Sequence, residues 1–347
     1  METIIKKVKK GQLDRESMEM AGAILKRGGL VAFPTETVYG LGADALNEKA
    51  AEKIYAAKGR PSDNPLIVHI TNLDALEKIA INIPKETKAI ADAFWPGPLT
   101  MIFEKSDVVP LGTTGGLNTV AVRMPSDEVA AALIDAGGGY IAAPSANTSG
   151  RPSPTMAEHV EEDLAGRIDM ILDGGPVSIG LESTILDMTV TPPMILRPGA
   201  ITKEMLEECV GEVTVDKAVI QPGQRPKAPG MKYRHYAPQA KLSIVEGDME
   251  NVIAKINALA EEKVKEGCKV GIIGTEESVH NYRCGDIKSI GTREDESTIA
   301  VHLFAILREF DADEVDYIYS ESFDSEGIGS AIMNRLLKAA GHHVITV

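Results

Sequence analysis

Four stretches of this chain put charged and hydroxylated side chains where an apolar strand or a helix ends. In "LVAFPTETVYGLGADA" (30–45) an apolar run meets Pro34, then Thr35, Glu36, Thr37 and Tyr39, with Gly40 and Gly42 flanking Leu41. The arrangement reads as a strand delivering polar groups and bare backbone to a ligand, its glycines allowing a tight turn. In "AAKGRPSDNPLIVHI" (56–70) Lys58 and Arg60 surround Gly59. Cations there complement a helix C-terminus by themselves, but Arg60 precedes Pro61 and so leaves the helix. His69, set in an apolar run, is on its own a core histidine. In "TVAVRMPSD" (119–127) Arg123 interrupts an apolar alternation, and "IAAPSANTSGRPSPT" (141–155) follows a strand with Ser145 and Asn147 around Ala146. An inward arginine needs a partner, and a ligand carboxylate or phosphate would serve. Finally, Ser183, Thr184 and Arg197 punctuate "GLESTILDMTVTPPMILRPGAIT" (180–202). Lys58, Arg60, Arg123 and Arg197 together describe a cavity for several negative charges, such as a triphosphate beside a carboxylate.

The elements that must position these groups alternate in type. "SMEMAGAILKRGG" predicts a helix capped at Ser17 and stopped at Gly28. "NEKAAEKIYAAKG" predicts one capped at Asn47 and stopped at Gly59. Strands are expected at "LVAFP", "PLIVHI", "LTMIFEK", "TVAVRMP", "YIAAPSA", "MILDGG", "STILDMT" and "MILRPG", with helices between several of them. The pattern implies one α/β domain with a large mixed sheet over residues 1–215. A Pro- and Gly-rich stretch at 216–240 breaks the rhythm as a linker. Residues 241–347 resume strand–helix alternation on a smaller scale, implying a parallel, doubly wound C-terminal domain.

Composition excludes several classes. The 347 residues carry 36 basic and 51 acidic side chains, a net charge of −15, and from Lys241 onward the balance is 11 against 20. Such a chain is poorly suited to neutralising nucleic-acid phosphates, and 4% aromatic residues offer few stacking platforms. Three scattered cysteines make neither a disulfide framework nor a zinc site, so a reducing, cytoplasmic setting is expected. No apolar run reaches membrane-spanning length, and no secretory signal is evident. GxxxxGK[ST], HExxH, GxSxG and CxxC are missing, and "GIGS" before Ala331 reads as a plain helix start.

The series "PTETVYGLGADA", "KGRP…NPL", "VRMP", "APSANTSG", "STILD" and "LRPGAI", with "PGMKYRHYAP" and "GIGSAIMNRLLKAAG", resembles the YrdC-like threonylcarbamoyl-AMP synthases in their long two-domain form. That resemblance implies a YrdC-like twisted mixed sheet and a smaller Rossmann-like parallel domain. It implies condensation of L-threonine, bicarbonate or carbon dioxide, and ATP into threonylcarbamoyl-adenylate and pyrophosphate. The product would go to downstream tRNA threonylcarbamoyl-transfer proteins for modification beside the anticodon. By motif, Thr35, His69, Arg123, Ala143 and Ser183 would bind threonine. Lys58, Arg60, Ser62, Thr119, Ser145, Asn147, Ser153 and Arg197 would meet ATP, Lys58 and Arg60 being catalytic. Tyr233, His235 and Tyr236 would form a lid, and Mg2+ would accompany the triphosphate with no protein ligand set identified. Two alternatives stand beside it. One is an RNA-binding or ribosome-associated module, which salt-sensitive tRNA retention on a filter would reveal. The other is a carbamoyl-adenylate-forming enzyme with a different acceptor, whose zinc-finger cysteines are not found here. No stable tRNA binding and no membrane association are expected.

Overall fold

In the computed structural model residues 2–216 and 235–347 are described. They divide into a unit of residues 2–149, 153–178 and 182–216 and a second unit of residues 150–152, 179–181 and 235–347. The first is built on a 12-stranded mixed sheet. Its strands run Ile4–Lys7, Met170–Asp173, Val31–Phe33, Gly40–Asp44, Ile141–Ala143, Ile67–His69, Thr119–Arg123, Leu99–Lys105, Thr184–Asp187, Met194–Arg197 and Thr214–Val215, with Ala80–Ile81 beside Leu99–Lys105. Most strands near the middle are only three to five residues long and buried throughout, so they read as short apolar runs rather than as alternations.

The two faces of this sheet are covered differently. Leu41, Val68, Met101, Phe103, Val122 and Ala142 point into the larger core, with Ile54 and Ala50 of the helix Glu48–Lys58. On the opposite face, the helices Arg15–Lys26 and Glu128–Gly137 cover Val31, Phe33, Ile141 and Ala143. The helix Glu48–Lys58 starts at Asn47, whose side chain accepts from Lys49 and Ala50 N–H, and stops at left-handed Gly59. The helix Arg15–Lys26 is capped by Asp14, not by Ser17; Asp14 is three residues before Ser17 and accepts both its N–H and its hydroxyl. Gly40 and Gly42 are also not turn residues. They lie in a strand, where a Cβ on Gly42 would come within 2.9 Å of Ile141 Cγ2 and 3.0 Å of the Phe33 ring. The glycines make room for Phe33 across the strand pair, in which Phe33 sits opposite Gly40.

The second unit has a five-stranded parallel sheet in the order Asp286–Ser289, Val270–Gly274, Tyr317–Glu321, Lys241–Glu246, Val344–Thr346. The chain leaves Val270–Gly274 toward one edge and Tyr317–Glu321 toward the other. Between them lies the crevice where doubly wound sheets bind ligands. Here the protein's own side chains occupy it. Glu321 is fully buried, accepts hydrogen bonds from Ser278 and from Tyr282 Oη (2.6 Å), and pairs with Arg293 at 2.7 Å. Burial and the neighbouring carboxylate hold the Tyr282 phenol well above its usual range. "GIGS" opens the helix Gly327–Ala339, as a helix start should.

Candidate active site

Strand register brings several of the expected residues onto one face of the first sheet. Ile67 lies opposite Ala121 and Ala143, Ala121 opposite Ile102, and Ile185 opposite Thr100. Because side chains alternate, His69, Thr119, Arg123, Ala143, Thr100 and Ser183 share that face. Arg123 is buried at the end of its strand and reaches the 34–39 segment. Its Nη1 donates to Thr37 Oγ1 at 2.9 Å, and its Nη2 lies 2.7 Å from Glu36 Oε1. The partner that an inward arginine requires is therefore supplied by the chain, and Glu36 is the residue the sequence reading passed over. The signal was present, since the motif quoted for Thr35 contains this carboxylate.

The hydroxyl of Thr35 is engaged locally. It donates to Val38 O (2.7 Å), lies 2.8 Å from Thr37 Oγ1, and accepts from the Thr37 and Val38 N–H groups. It thereby closes the turn that aims Glu36 and Thr37 at Arg123. His69 Nδ1 meets Ile67 O at 3.0 Å, and its ring stands edge-on to Phe33 with centroids 6.1 Å apart. Burial, and then the adjacent Arg123, lower its pKa to about 3, so the imidazole is neutral near pH 7.

Two further knots lie in the same unit. Lys58 is buried, and its ammonium donates to Ser145 O and Asn147 O, with Asn147 Oδ1 at 3.3 Å. Ser145 Oγ donates to Asn147 Oδ1 at 2.6 Å. Lys58 thus fixes the Ser-Ala-Asn turn, a use not foreseen from its place beside a helix stop. Arg60 donates to Asn64 O and Pro65 O, and Ser62 is exposed. Arg197 donates from Nε and Nη2 to Ser183 O, and Ser183 Oγ lies 2.8 Å from Thr100 Oγ1. A Cβ on Gly199 would sit 2.4 Å from Thr184 N, so only glycine allows this approach. Ser153 is buried and donates to Glu182. Of the expected lid, Tyr233 lies outside the described residues. His235 and Tyr236 belong to the second unit, where Tyr236 packs on Phe304 with centroids 5.1 Å apart.

A family model described as "Telomere recombination", that of the Sua5, YciO and YrdC proteins, matches residues 23–199. One described as "Threonylcarbamoyl-AMP synthase, C-terminal domain" matches 201–341. Curated proteins named threonylcarbamoyl-AMP synthase are similar over nearly the whole chain. The Pyrococcus abyssi protein is 48% identical over 99% of this chain and 100% of its own length. That of Bacillus subtilis is 51% identical over 94% and 93%. The chain belongs to the threonylcarbamoyl-AMP synthase family. The crystal structure of Pyrococcus abyssi Sua5 complexed with L-threonine matches with a TM-score of 0.94 at 47% identity, covering 99% of this chain and 100% of that one. Escherichia coli YciO, at 22% identity and a TM-score of 0.51, shares the fold alone. Within this synthase family the mixed sheet and the parallel C-terminal sheet are both accounted for. Among the described residues no helix is long and apolar enough to cross a membrane.

Proposed function

We propose that this chain condenses L-threonine, bicarbonate or carbon dioxide, and ATP into threonylcarbamoyl-adenylate and pyrophosphate, the first step of threonylcarbamoyl modification of tRNA. The observation that carries this reading is similarity from end to end with proteins named for that product, at 48% and 51% identity. The chemistry needs an amine to add to carbon dioxide and the resulting carbamate to attack the α-phosphate in line. Neither step calls for a covalent protein nucleophile, so positioning and charge neutralisation are what the protein supplies.

In this reading the buried face holds threonine through Arg123 and Ser183, with Thr35, His69 and Ala143 shaping the wall. Neutral His69 adds no charge next to Arg123. Lys58 holds the turn of Ser145 and Asn147, which with Thr119, Ser153, Arg60, Ser62 and Arg197 forms the nucleotide side. The catalytic domain is assigned to residues 1–215 and the C-terminal domain to 241–347, with 216–240 as the linker; the lid expected of that linker falls largely on residues 217–234, which lie outside the described residues. The described residues contain no cluster of three His, Cys, Asp or Glu side chains able to hold a metal. Mg2+, expected with ATP, would supply charge neutralisation on the triphosphate beside Lys58 and Arg60.

The test is to incubate the protein with ATP, bicarbonate and each amino acid in turn, measuring pyrophosphate and seeking the adenylate by mass spectrometry. Release that depends on both threonine and bicarbonate is expected. Release independent of either overturns the assignment.

A further inference from the structure

Glu36 is an exception among the buried carboxylates. Seven Asp and Glu side chains among the described residues are buried. The others accept hydrogen bonds: Asp127 from two N–H groups of the helix it caps, Asp163 from Thr148, Glu182 from Ser153, Asp187 from Thr189, Asp311 from Gln239 and Glu321 from Tyr282. Neither oxygen of Glu36 accepts one, although the residue is only 7% exposed. The approach of Arg123 Nη2 at 2.7 Å brings opposite charges together without the alignment of a hydrogen bond, and that nitrogen is equally unsatisfied. A purely structural buried ion pair is favourable only when fitted hydrogen bonds repay the loss of water. Arg123 has one in Thr37, but Glu36 has none, and an alkylammonium supplies three donors.

We infer that Glu36 receives the α-ammonium of the amino-acid substrate and accepts its proton as the carbamate forms. The inference rests on the reading of threonine as substrate. An α-amino acid carries its own carboxylate and ammonium on neighbouring atoms. Arg123 and Glu36, already adjacent, exchange each other for those two groups with no change in net charge. The ammonium has no lone pair and cannot attack. Transfer of one N–H proton to Glu36 gives the amine and a neutral carboxylic acid. Bicarbonate divides into carbon dioxide and hydroxide. The nitrogen lone pair then forms the C–N bond while one C=O π pair moves onto oxygen, and hydroxide takes the second N–H proton to leave as water. Ammonium, bicarbonate and carboxylate thus become carbamate, water and protonated Glu36, with atoms and charge balanced. Once protonated, Glu36 no longer repels the negative carbamate, and it returns its proton to solvent after product leaves.

The test compares native protein with Glu36→Gln, which keeps the shape but accepts no proton. Threonine-dependent turnover should fall at least about 100-fold, the usual range for losing a general base, while ATP affinity stays unchanged. A positioning test accompanies it: binding of L-threonine against the analogue with a hydroxyl in place of the amine, by calorimetry. Native protein should prefer threonine, and Glu36→Gln should lose that preference. A merely structural role would weaken both ligands equally. Should Glu36→Gln fail to fold, Glu36→Asp serves, since it keeps the charge and hence the preference but withdraws the base and lowers kcat. Native-like kcat in the folded variant, or equal weakening of both ligands, overturns the inference alone. Threonine-independent turnover of the native protein overturns the reading beneath it as well.

Discussion

Arg123 donates to Thr37 and lies against Glu36 where almost no solvent reaches, so removing either charge strands the other. Arg123→Ala should therefore destabilise the protein by about 3–5 kcal/mol, read as a lower urea midpoint. A loss below about 1 kcal/mol, the scale of exposed pairs, would mean that the pair is solvated after all. His69 carries a different expectation. Folded, it protonates only near pH 3, because burial and then Arg123 oppose its charge. Unfolded, it protonates near pH 6.5. Between those values the unfolded chain binds the extra proton, so stability falls as pH drops, by up to about 1.4 kcal/mol per pH unit. Above pH 6.5 the residue adds no slope. Urea titrations of native protein and His69→Gln between about pH 6.5 and 4.5 should show a shallower acid slope in the variant, and parallel slopes would exclude this account. The residue types that gather here were legible in the sequence, but their pairing was not. Nothing in the spacing of Glu36 and Arg123 tells that they meet, because the loop carrying one and the strand carrying the other are joined only by the sheet.

Strands such as Leu99–Lys105 and Thr119–Arg123 were legible because β-branched and apolar runs end at prolines and polar turns. Gly40–Asp44 was not, since glycine lowers strand propensity and its role there is to yield space. That role has a measurable consequence. Gly42→Ala places a methyl against Ile141 and Phe33 and should cost about 1–3 kcal/mol. Phe33→Leu removes one of the three obstructing groups, the others being Ile141 and Val31 O, so the cost of Gly42→Ala should be smaller in that background. Additive costs in a double-mutant cycle would show that Ile141 and Val31 O, not Phe33, set the limit. The caps follow the same logic. Asn47 stands directly before its helix, whereas Ser17 competes with Asp14, and an aspartate three residues earlier satisfies the same free N–H groups with a full charge.

At the scale of the molecule, strand–helix alternation identified two sheet types, and it was sufficient for a parallel arrangement after Lys241. The order of twelve strands was not legible, because register and neighbour choice depend on contacts far apart in sequence. Nor was the state of the crevice in the second sheet, since Ser278 and Tyr282, Arg293, and Glu321 converge there from three separate segments. A pocket already filled by a buried, fully bonded carboxylate has a practical meaning for ligand screening. When the protein is heated with nucleotides, protection should come from the first unit, and Glu321→Ala should lower the temperature of unfolding without reducing the shift that ATP and threonine produce. A screen can thus start from one melting curve per compound, and a second curve on Glu321→Ala assigns each surviving hit to the mixed sheet without a crystal.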